Sequence, residues 1–469
     1  MTVILTGFCA LALLTAQEDP KTAPKGDETK IAPPTAAKKD DKATLPDAGK
    51  ASWENVAECQ EAQKKFRAGD VTEAKRLLEL AAAKYSELPP APVMLAVLFI
   101  TSNQVPIGRQ LLERAAVERS EHPEVHTHFG EIALAENRLC DAEVQFDRAA
   151  LLAGNDRWAL KPRQTFLSHA YAGLAAVAER RSDWETAYAK LYLLTQLDPQ
   201  NPRIAWRLGR ALFFKNKPED AMAKFQQAYA ADKSLEPPEL TMGGLWSQKK
   251  DYTKAEKWLS DAVKNYGSDV RTYTSLTTFY VDQARINDAR ASVKAGLKVD
   301  VNNAPLRLLD ALVARAAGEL DYAEKALQEL VAKFPSDFSA TNQLALVLAE
   351  QEDARKKAQA LDIANNNQKL NQNNVEALTT LGWALLRNGL PERAEQVLQT
   401  VVRSGQGSSD AAYYLGLIWS EKRKDDAKKL FEAALSAPGT FVHRKDCEEA
   451  LKKLGELKTN ETKKEEKKQ

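Results

Sequence analysis

The sequence predicts an all-α fold built as a linear array of helical hairpins. A small residue recurs about every 34 positions between Ala74 and Ala427, and an apolar residue stands four positions after each of them. Residues four and seven positions apart lie on one stripe of an α-helix. Each repeat of the pattern therefore marks one helix face that packs against a neighbouring helix. Glycine and proline number only 21 and 20 among 469 residues, which favours helices over sheets.

The N-terminal segment has the composition of an export signal. Val3 to Ala16 is an apolar run that is short for a transmembrane helix and suits the apolar region of a signal peptide. Ala16 is a small residue at the expected cleavage point, although no Lys or Arg precedes the run. We therefore expect residues 1–16 to be a signal peptide that sends the chain to the periplasm or another extracytoplasmic space. The alternative is an uncleaved N-terminal membrane anchor.

Two further segments are too polar to fold. Residues 17–50 are rich in Lys, Asp, Pro and Ala and contain no aromatic residue, so they cannot bury enough apolar surface to offset the loss of chain entropy. We expect them to form a disordered tether. Residues 458–469 are almost entirely charged or polar, and we expect them to form a second disordered tail.

The repeats occupy residues 51–438. Their small residues, in chain order, are Ala74, Gly108, Ala142, Ala187, Ala221, Ala255, Ala289, Ala323, Ala360, Ala394 and Ala427. A second small residue, such as Gly209 or Gly382, recurs in the helix before. Small residues at both positions let two helices approach closely, and turn signals such as residues 216–220 separate them. Each repeat is therefore predicted to be a helical hairpin.

The repeated unit resembles the tetratricopeptide repeat. Residues 203–232 and 381–398 carry the pattern most clearly, with Leu-Gly in the first helix, Ala in the second and Phe or Leu four positions later. Pro199, Pro335 and Pro438 match the proline near the end of the repeat. The resemblance implies a right-handed α-solenoid of about eleven hairpins, in which the first helix of each hairpin lines a concave groove.

The array has two irregular joins and a predicted cap. Additional residues stand around positions 154–164 and again near 350–356, so the stack is least regular there. After the last hairpin, residues 439–457 include apolar residues at helical spacing opposite a charged face. This pattern predicts a helix that caps the end of the array.

The sequence favours a protein that is not an enzyme and needs no cofactor. Repeats, tether, cap and tails account for nearly every residue, and no Walker-type phosphate loop, HExxH or GxSxG motif occurs. His122, His126 and His128 form the densest histidine cluster. Because Pro123 marks a helix start after His122, we expect surface or capping histidines there and no metal site.

Two classes of function remain. The first is an exported scaffold or adaptor that binds a protein or an extended peptide in the concave groove. The second is an accessory subunit of an envelope secretion, polysaccharide-export or outer-membrane assembly machine. Because 66 basic residues face 65 acidic ones, no charge excess attracts nucleic acid or anionic membranes. A protein or peptide partner is therefore predicted, with no membrane insertion beyond the N-terminal segment.

The resemblance also places a candidate docking surface near the middle of the chain. Counted along the repeat, the residues that would face the groove are Arg203, Trp206, Arg210, Phe213 and Phe214, with Arg180 and Arg271 at matching positions of other hairpins. Such a basic and aromatic surface suits an acidic or aromatic extended segment. The alternative is that Trp206 and Phe213 fill the space between packed hairpins while the arginines are solvated.

Overall fold

The computed structural model describes residue 53 and residues 56–85, 88–118, 120–156, 158–405, 407–437 and 439–466, with side chains as far as residue 455. This part of the chain contains 23 α-helices and no β-strand. The predicted signal peptide (1–16), the predicted tether (17–50) and Pro438 lie outside the described residues. The chain divides into two compact units, Met1–Ala91 and Pro92–Gln469.

The first unit contains one helical hairpin. Helices α1 (Ala57–Arg67) and α2 (Val71–Lys84) are joined by a turn in which Gly69 has a φ of 85°. The buried residues of the hairpin are Cys59 and Ala62 on α1 and Ala74, Leu78 and Ala81 on α2. These α2 residues are the stripe that the repeat predicts.

The second unit consists of ten hairpins and a final helix, and α3 begins at the residue that ends the first unit. The hairpins are α3 (Ala91–Thr101) with α4 (Val105–Glu118), α5 (Pro123–Ala135) with α6 (Leu139–Ala153), α7 (Leu160–Arg180) with α8 (Trp184–Leu197), α9 (Pro202–Phe214) with α10 (Pro218–Ala231), α11 (Pro238–Gln248) with α12 (Tyr252–Asn265), α13 (Val270–Asp282) with α14 (Ile286–Val299), α15 (Ala304–Ala316) with α16 (Leu320–Lys333), α17 (Phe338–Glu350) with α18 (Ala354–Leu370), α19 (Val375–Arg387) with α20 (Pro391–Arg403), and α21 (Ser409–Trp419) with α22 (Lys424–Ser436). The final helix is α23 (Arg444–Glu466).

Each hairpin of the second unit packs against the next one along the chain. From α4 onward, every second helix contacts the first helix of the following hairpin. The small residues that define the repeat, from Gly108 to Ala427, are all buried on the second helices. The apolar residue four positions later is buried too, as at Phe225 and Leu398. The predicted all-α solenoid of tetratricopeptide-like hairpins is therefore confirmed.

The closest contacts within a hairpin occur at glycines of the first helix. A Cβ atom on Gly382 would stand 2.5 Å from Cγ of Leu398, and one on Gly243 would stand 2.6 Å from Cγ of Leu259. No side chain fits in these spaces without displacing the second helix. Glycine at these positions therefore sets the short distance between the paired helices.

A left-handed residue closes the first helix of most hairpins. In the turn between α9 and α10, Asn216 has a φ of 59°, and the N–H of Lys217 donates to the carbonyl of Leu212 at 3.0 Å. This pairing satisfies a carbonyl that the helix end leaves open. The equivalent residues with positive φ in other hairpins are Asn103, Asn137, Ser182, Lys250, Ala284, Gly318 and Gly389. One turn geometry therefore recurs along the array.

The additional residues at both irregular joins are accommodated by longer helices. Helix α7 has 21 residues and α18 has 17, whereas most other helices have 11 to 14. Ahead of α7, the indole Nε1 of Trp158 donates to the carbonyl of Leu152 at 2.9 Å. Helix α7 still packs against α5, α6 and α8. The inserted residues around 154–164 therefore lengthen one hairpin and leave the stack continuous.

The final helix is longer than the sequence predicts. Helix α23 continues to Glu466, beyond residue 457 and into the segment predicted as a tail. Lysine and glutamate, which are good helix formers, dominate this extension, and a helix that has already formed extends at little cost. Near its start, the Cys447 thiol lies 3.7 Å from the carbonyl oxygen of Phe431. Cys447 and Leu454 are buried in the core of the last hairpins, so this half of α23 covers the end of the array.

Replacing Gly243 with alanine should lower the free energy of unfolding. Its Cβ would meet Leu259 at 2.6 Å, and such overpacking costs about 1–3 kcal/mol. This cost equals or exceeds the roughly 1 kcal/mol by which alanine is favoured over glycine inside a helix. Gly244 is the matched control because it is exposed and a Cβ there meets nothing within 4 Å. Gly244→Ala should stabilise the chain by about 1 kcal/mol. Denaturant unfolding followed by circular dichroism measures both changes, and equal effects would contradict the close-approach explanation.

Candidate functional site

The structure brings part of the predicted docking surface together around Trp184. The ring of Phe214, the last residue of α9, stacks on Trp184 with centroids 4.2 Å apart and an interplanar angle of 15°. The guanidinium carbon of Arg210 lies 5.5 Å from the centroid of Trp184. Trp184 is the first residue of α8, so the contact joins the fourth and fifth hairpins.

Phe213 connects this group to the sixth hairpin. Its ring is only 1% exposed and meets Trp246 edge-on, with centroids 4.9 Å apart. Lys249 places its ammonium 4.9 Å from the Phe213 ring and donates to the Asn216 side-chain oxygen at 2.9 Å. We call the six residues Trp184, Arg210, Phe213, Phe214, Trp246 and Lys249 the central aromatic cluster.

The repeat itself explains why these residues meet. Trp184 starts a second helix, Phe214 ends a first helix, and Lys249 follows a first helix directly. Because hairpins stack in register, the ends of successive first helices and the starts of second helices lie side by side. The side chain of Asp183 accepts the N–H of Thr186 at 3.1 Å, which fixes the start of α8 and hence the position of Trp184.

The other predicted residues lie outside the cluster. Trp206 is half-buried, packs near Phe225 at 6.1 Å between centroids, and donates to the Thr241 hydroxyl at 3.4 Å. Arg203 is exposed at the start of α9. Trp206 thus packs between its own hairpin and the next one, which is the arrangement described by the packing alternative.

The two arginines of other hairpins are held by contacts within the array. Arg180 donates to the backbone carbonyl of Leu134. Arg271 donates to both carboxylate oxygens of Asp269 at 2.6 to 3.0 Å and to the carbonyl of Ser234 at 3.0 Å. Burial raises the pKa of Asp269, but the hydrogen bonds and charge of Arg271 outweigh it and leave that pKa below its usual range. Neither arginine joins the central aromatic cluster.

Three cluster residues escape prediction from the sequence: Trp184, Trp246 and Lys249. The repeat pattern predicts groove positions on first helices, chiefly on α9, whereas Trp184 starts a second helix and Trp246 and Lys249 lie at the end of the next first helix. The recurrence of tryptophan beside hairpin turns is the signal that would have found Trp184 and Trp246. A pair formed by Arg207 and Glu179 is also missed; it joins α9 to α7 through contacts of 3.0 and 2.9 Å.

The cluster carries positive charge that the rest of the array leaves unbalanced. Within the described part of the chain, no ion pair joins Arg210 or Lys249 to a carboxylate. Their side chains instead lie over aromatic rings, where a cation gains about 0.5–1 kcal/mol at an exposed site. By contrast, neighbouring Lys215 is paired with Glu185. The cluster can therefore offer two cations and stacked rings to an incoming group.

The three histidines of the predicted cluster point to different partners. His122 accepts the backbone N–H of Glu124 through its Nδ1 atom at 3.3 Å and so caps α5. His126 contacts the side chain of Gln145 at 2.8 Å. His128 contacts Glu131 at 2.7 Å. Across the described residues, no group of three or more His, Cys, Asp or Glu side chains is arranged to hold a metal ion.

The buried carboxylate of Glu124 links His128, on the same helix, to His169 on the next hairpin. Glu124 lies 3.0 Å from Nδ1 of His169 on α7 and 3.5 Å from Nε2 of His128. Burial raises the pKa of Glu124, but the hydrogen bond and charge of His169, with His128 and His122, outweigh it and lower that pKa below the usual range. The hydrogen bond to Glu124 raises the pKa of His169. Burial lowers the pKa of His128, but Glu131 and Glu124 outweigh it and raise that pKa above its usual value.

Comparisons with known proteins find a family match for the C-terminal part of the repeats. Residues 308–365 and 379–455 match the family model described as tetratricopeptide repeat, whereas no curated protein matches the chain. Among solved structures, yeast Tom70 is 14% identical with a TM-score of 0.36, over 87% of this chain and 96% of that chain. The APC/C hetero-tetramer Cut9-Hcn1 is 12% identical with a TM-score of 0.41, over 85% and 89%. A tetratricopeptide repeat protein from Parabacteroides merdae is 14% identical with a TM-score of 0.33, over 61% and 98%. These TM-scores are too low to support a conclusion about function or partner.

Replacing His169 with glutamine should destabilise the chain more at pH 6 than at pH 8. Because the folded pKa of His169 is raised, its contribution is complete below about 6.5, the unfolded value, and is lost as the pH rises through the folded value. We expect a difference of about 0.2–1 kcal/mol, since the imidazole is half-exposed. Urea unfolding at both pH values measures it. In a Glu124→Gln background the pH dependence should disappear, and its persistence there would contradict the pairing.

Proposed function

We propose that this chain, whose residues 308–365 and 379–455 match the tetratricopeptide repeat family, is a non-catalytic scaffold that binds an acidic, aromatic extended segment of a protein partner. The observation that carries the proposal is the central aromatic cluster, in which two cations without carboxylate partners lie over stacked rings. The cluster spans the fourth to sixth hairpins, so an extended segment would contact several repeats at once.

The chemistry of the cluster decides the class of partner. A carboxylate on the partner gains a charge-assisted hydrogen bond from Arg210 or Lys249 without breaking an existing ion pair. An aromatic side chain gains stacking area beside Trp184 and Phe214, and such rings with arginine commonly dominate binding energy at interfaces. A basic partner would meet repulsion from both cations. We therefore expect selectivity for acidic segments.

Two further observations bear on where and how the scaffold acts. No helix in the described part of the chain is both long and apolar enough to cross a membrane. The apolar run from Val3 to Ala16 supports export, and we propose that the chain works outside the cytoplasm. The alternative role, as an accessory subunit of an envelope machine, predicts one set of envelope partners in fixed ratio.

Replacing Arg210 with glutamate should abolish capture of the partner. Capture is measured by cross-linking purification from an envelope extract with the full chain as bait, and bound proteins are identified by mass spectrometry. The melting transition should hardly move, because the cation–π interaction of Arg210 with Trp184 is worth about 0.5–1 kcal/mol. Arg148→Glu is the control, since Arg148 is exposed on the second helix α6.

Two results would count against the docking proposal. Unchanged capture by Arg210→Glu would remove the central aromatic cluster from the interface. Equal loss with Arg148→Glu would indicate a general charge effect. A fixed-ratio envelope complex that survives both substitutions would favour the accessory-subunit role.

Deleting residues 1–16 should retain the chain in the cytoplasm. The physical reason is the loss of the apolar segment that an export machinery recognises. Cell fractionation with antibody detection measures the distribution, and a cytoplasmic marker enzyme serves as control. Continued export of the shortened chain, or a cytoplasmic location of the full chain, would contradict the export proposal.

A further inference from the structure

The chain covers part of its own array with residues 439–443, the sequence Gly-Thr-Phe-Val-His between α22 and α23. We call these five residues the returning segment. The hydroxyl of Thr440 donates to the backbone carbonyl of Val281, close to the end of α13. Val281 is 159 residues away in sequence and four hairpins back in the array. The returning segment therefore runs back across the first helices of the last hairpins.

Two side chains of the returning segment are buried among aromatic rings. Phe441 is 6% exposed and meets Tyr413 edge-on, with centroids 5.7 Å apart. His443 stacks on Tyr413 at 5.3 Å and lies 5.3 Å from the Trp383 ring. Its Nε2 atom is 3.4 Å from the carboxylate of Glu350. Contacts therefore come from α17, α19 and α21 together.

The side chains beneath the returning segment lie at first-helix positions that face outward elsewhere. Trp383 follows Gly382 as Arg210 follows Gly209, yet Trp383 is 5% exposed while Arg210 remains half-exposed. Arg315 is also 5% exposed, and its guanidinium Nε donates to Glu350 at 2.9 Å. These first helices thus form a groove whose walls are built from rings and charges, and the returning segment fills it.

The fit of the returning segment leaves polar atoms unsatisfied. Buried atoms without a hydrogen-bond partner in the described residues include Nε1 of Trp383, the hydroxyl of Tyr414 and Oδ1 of Asp410. Each such atom loses its hydrogen bonds to water without gaining a partner, which is unfavourable. Burial also raises the pKa of the Asp410 carboxyl, and the charges of Arg315 and His443 only partly oppose it. An occupant with a stronger cation and more donors would fit this groove better.

We propose that the groove formed by α15, α17, α19 and α21 is a second peptide-binding site and that the returning segment is its internal ligand. The external ligand is an extended protein segment with an aromatic side chain and, two residues later, a cationic or imidazole side chain. The aromatic ring takes the place of Phe441 against Tyr413. The cation takes the place of His443 and pairs with Glu350 and Asp410. Binding displaces the returning segment, so the chain regulates access to its own groove.

This site is chemically opposite to the central aromatic cluster. The cluster offers cations to an acidic segment, whereas the groove offers two carboxylates, Glu350 and Asp410, against one guanidinium, Arg315. The inference rests on the proposed function only in treating the first helices as a binding surface. A substitution in one site leaves the other unchanged, so the two proposals fail separately.

A labelled peptide tests the groove directly. The probe is a fluorescein-labelled synthetic peptide with the sequence of residues 437–445, and its control has alanine in place of the Phe and His. Fluorescence anisotropy should show at least tenfold tighter binding to the full chain carrying Phe441→Ala and His443→Ala than to the unchanged chain. Val442→Ala, a half-buried neighbour, should behave like the unchanged chain. The alanine-substituted peptide should bind none of them.

A second measurement covers the case in which the double variant does not fold, as judged by circular dichroism. In the unchanged chain, a large excess of the unlabelled peptide should speed hydrogen exchange of residues 439–443, because those amides are released from the groove. The alanine-substituted peptide should have no effect. A folded double variant that does not bind the peptide, or exchange that excess peptide leaves unchanged, would overturn the proposal. Adding Arg210→Glu to the double variant should leave peptide binding intact.

Discussion

The structure depends on one constraint: no hairpin buries its own apolar face, so each must be covered by the next. Small residues on both helices let the hairpin close tightly, as at Gly243 against Leu259. The apolar residues that remain then face the following hairpin. Stability is therefore distributed along the array as a series of neighbour contacts, and the ends require covers of their own. Helix α23 provides one of these covers through Cys447 and Leu454.

The same constraint decides where the two proposed binding surfaces lie. The small and apolar stripes of each hairpin are used for stacking. Only the remaining positions of each first helix and the residues beside the turns can therefore carry side chains for binding. Trp184, Phe214 and Lys249 occupy such positions and meet only because successive hairpins are in register. Trp383 and Arg315 occupy similar positions farther along and are covered by the returning segment. One scaffold thus supports two surfaces of opposite charge.

The fold could be predicted from the sequence because its signal is repeated. Two repeats depart from the pattern: one has Asp310-Ala311 where the clear repeats have Leu-Gly, and one has additional residues before Ala360. The other nine repeats, in register, assign both as hairpins. The sites could be predicted only in part, since they depend on contacts between hairpins. Counting positions identified Arg210 and Phe214 but not Trp184, which belongs to a second helix. The repeat pattern could not predict that Asp269 would pair with Arg271, or that Thr440 would contact α13. Both contacts depend on the paths of turns and of the returning segment, which do not repeat along the sequence.

The central claim is that a hairpin folds only when its neighbours cover it, and the most direct measurement compares two fragments. Residues 202–337 contain the four hairpins from α9 to α16, and residues 202–234 contain the first of them alone. Thermal circular dichroism should show a helical spectrum and a cooperative transition for the longer fragment. The single hairpin should show neither, since an isolated pair of 13 and 14 residues buries too little apolar surface. A cooperative transition in the single hairpin would contradict the claim.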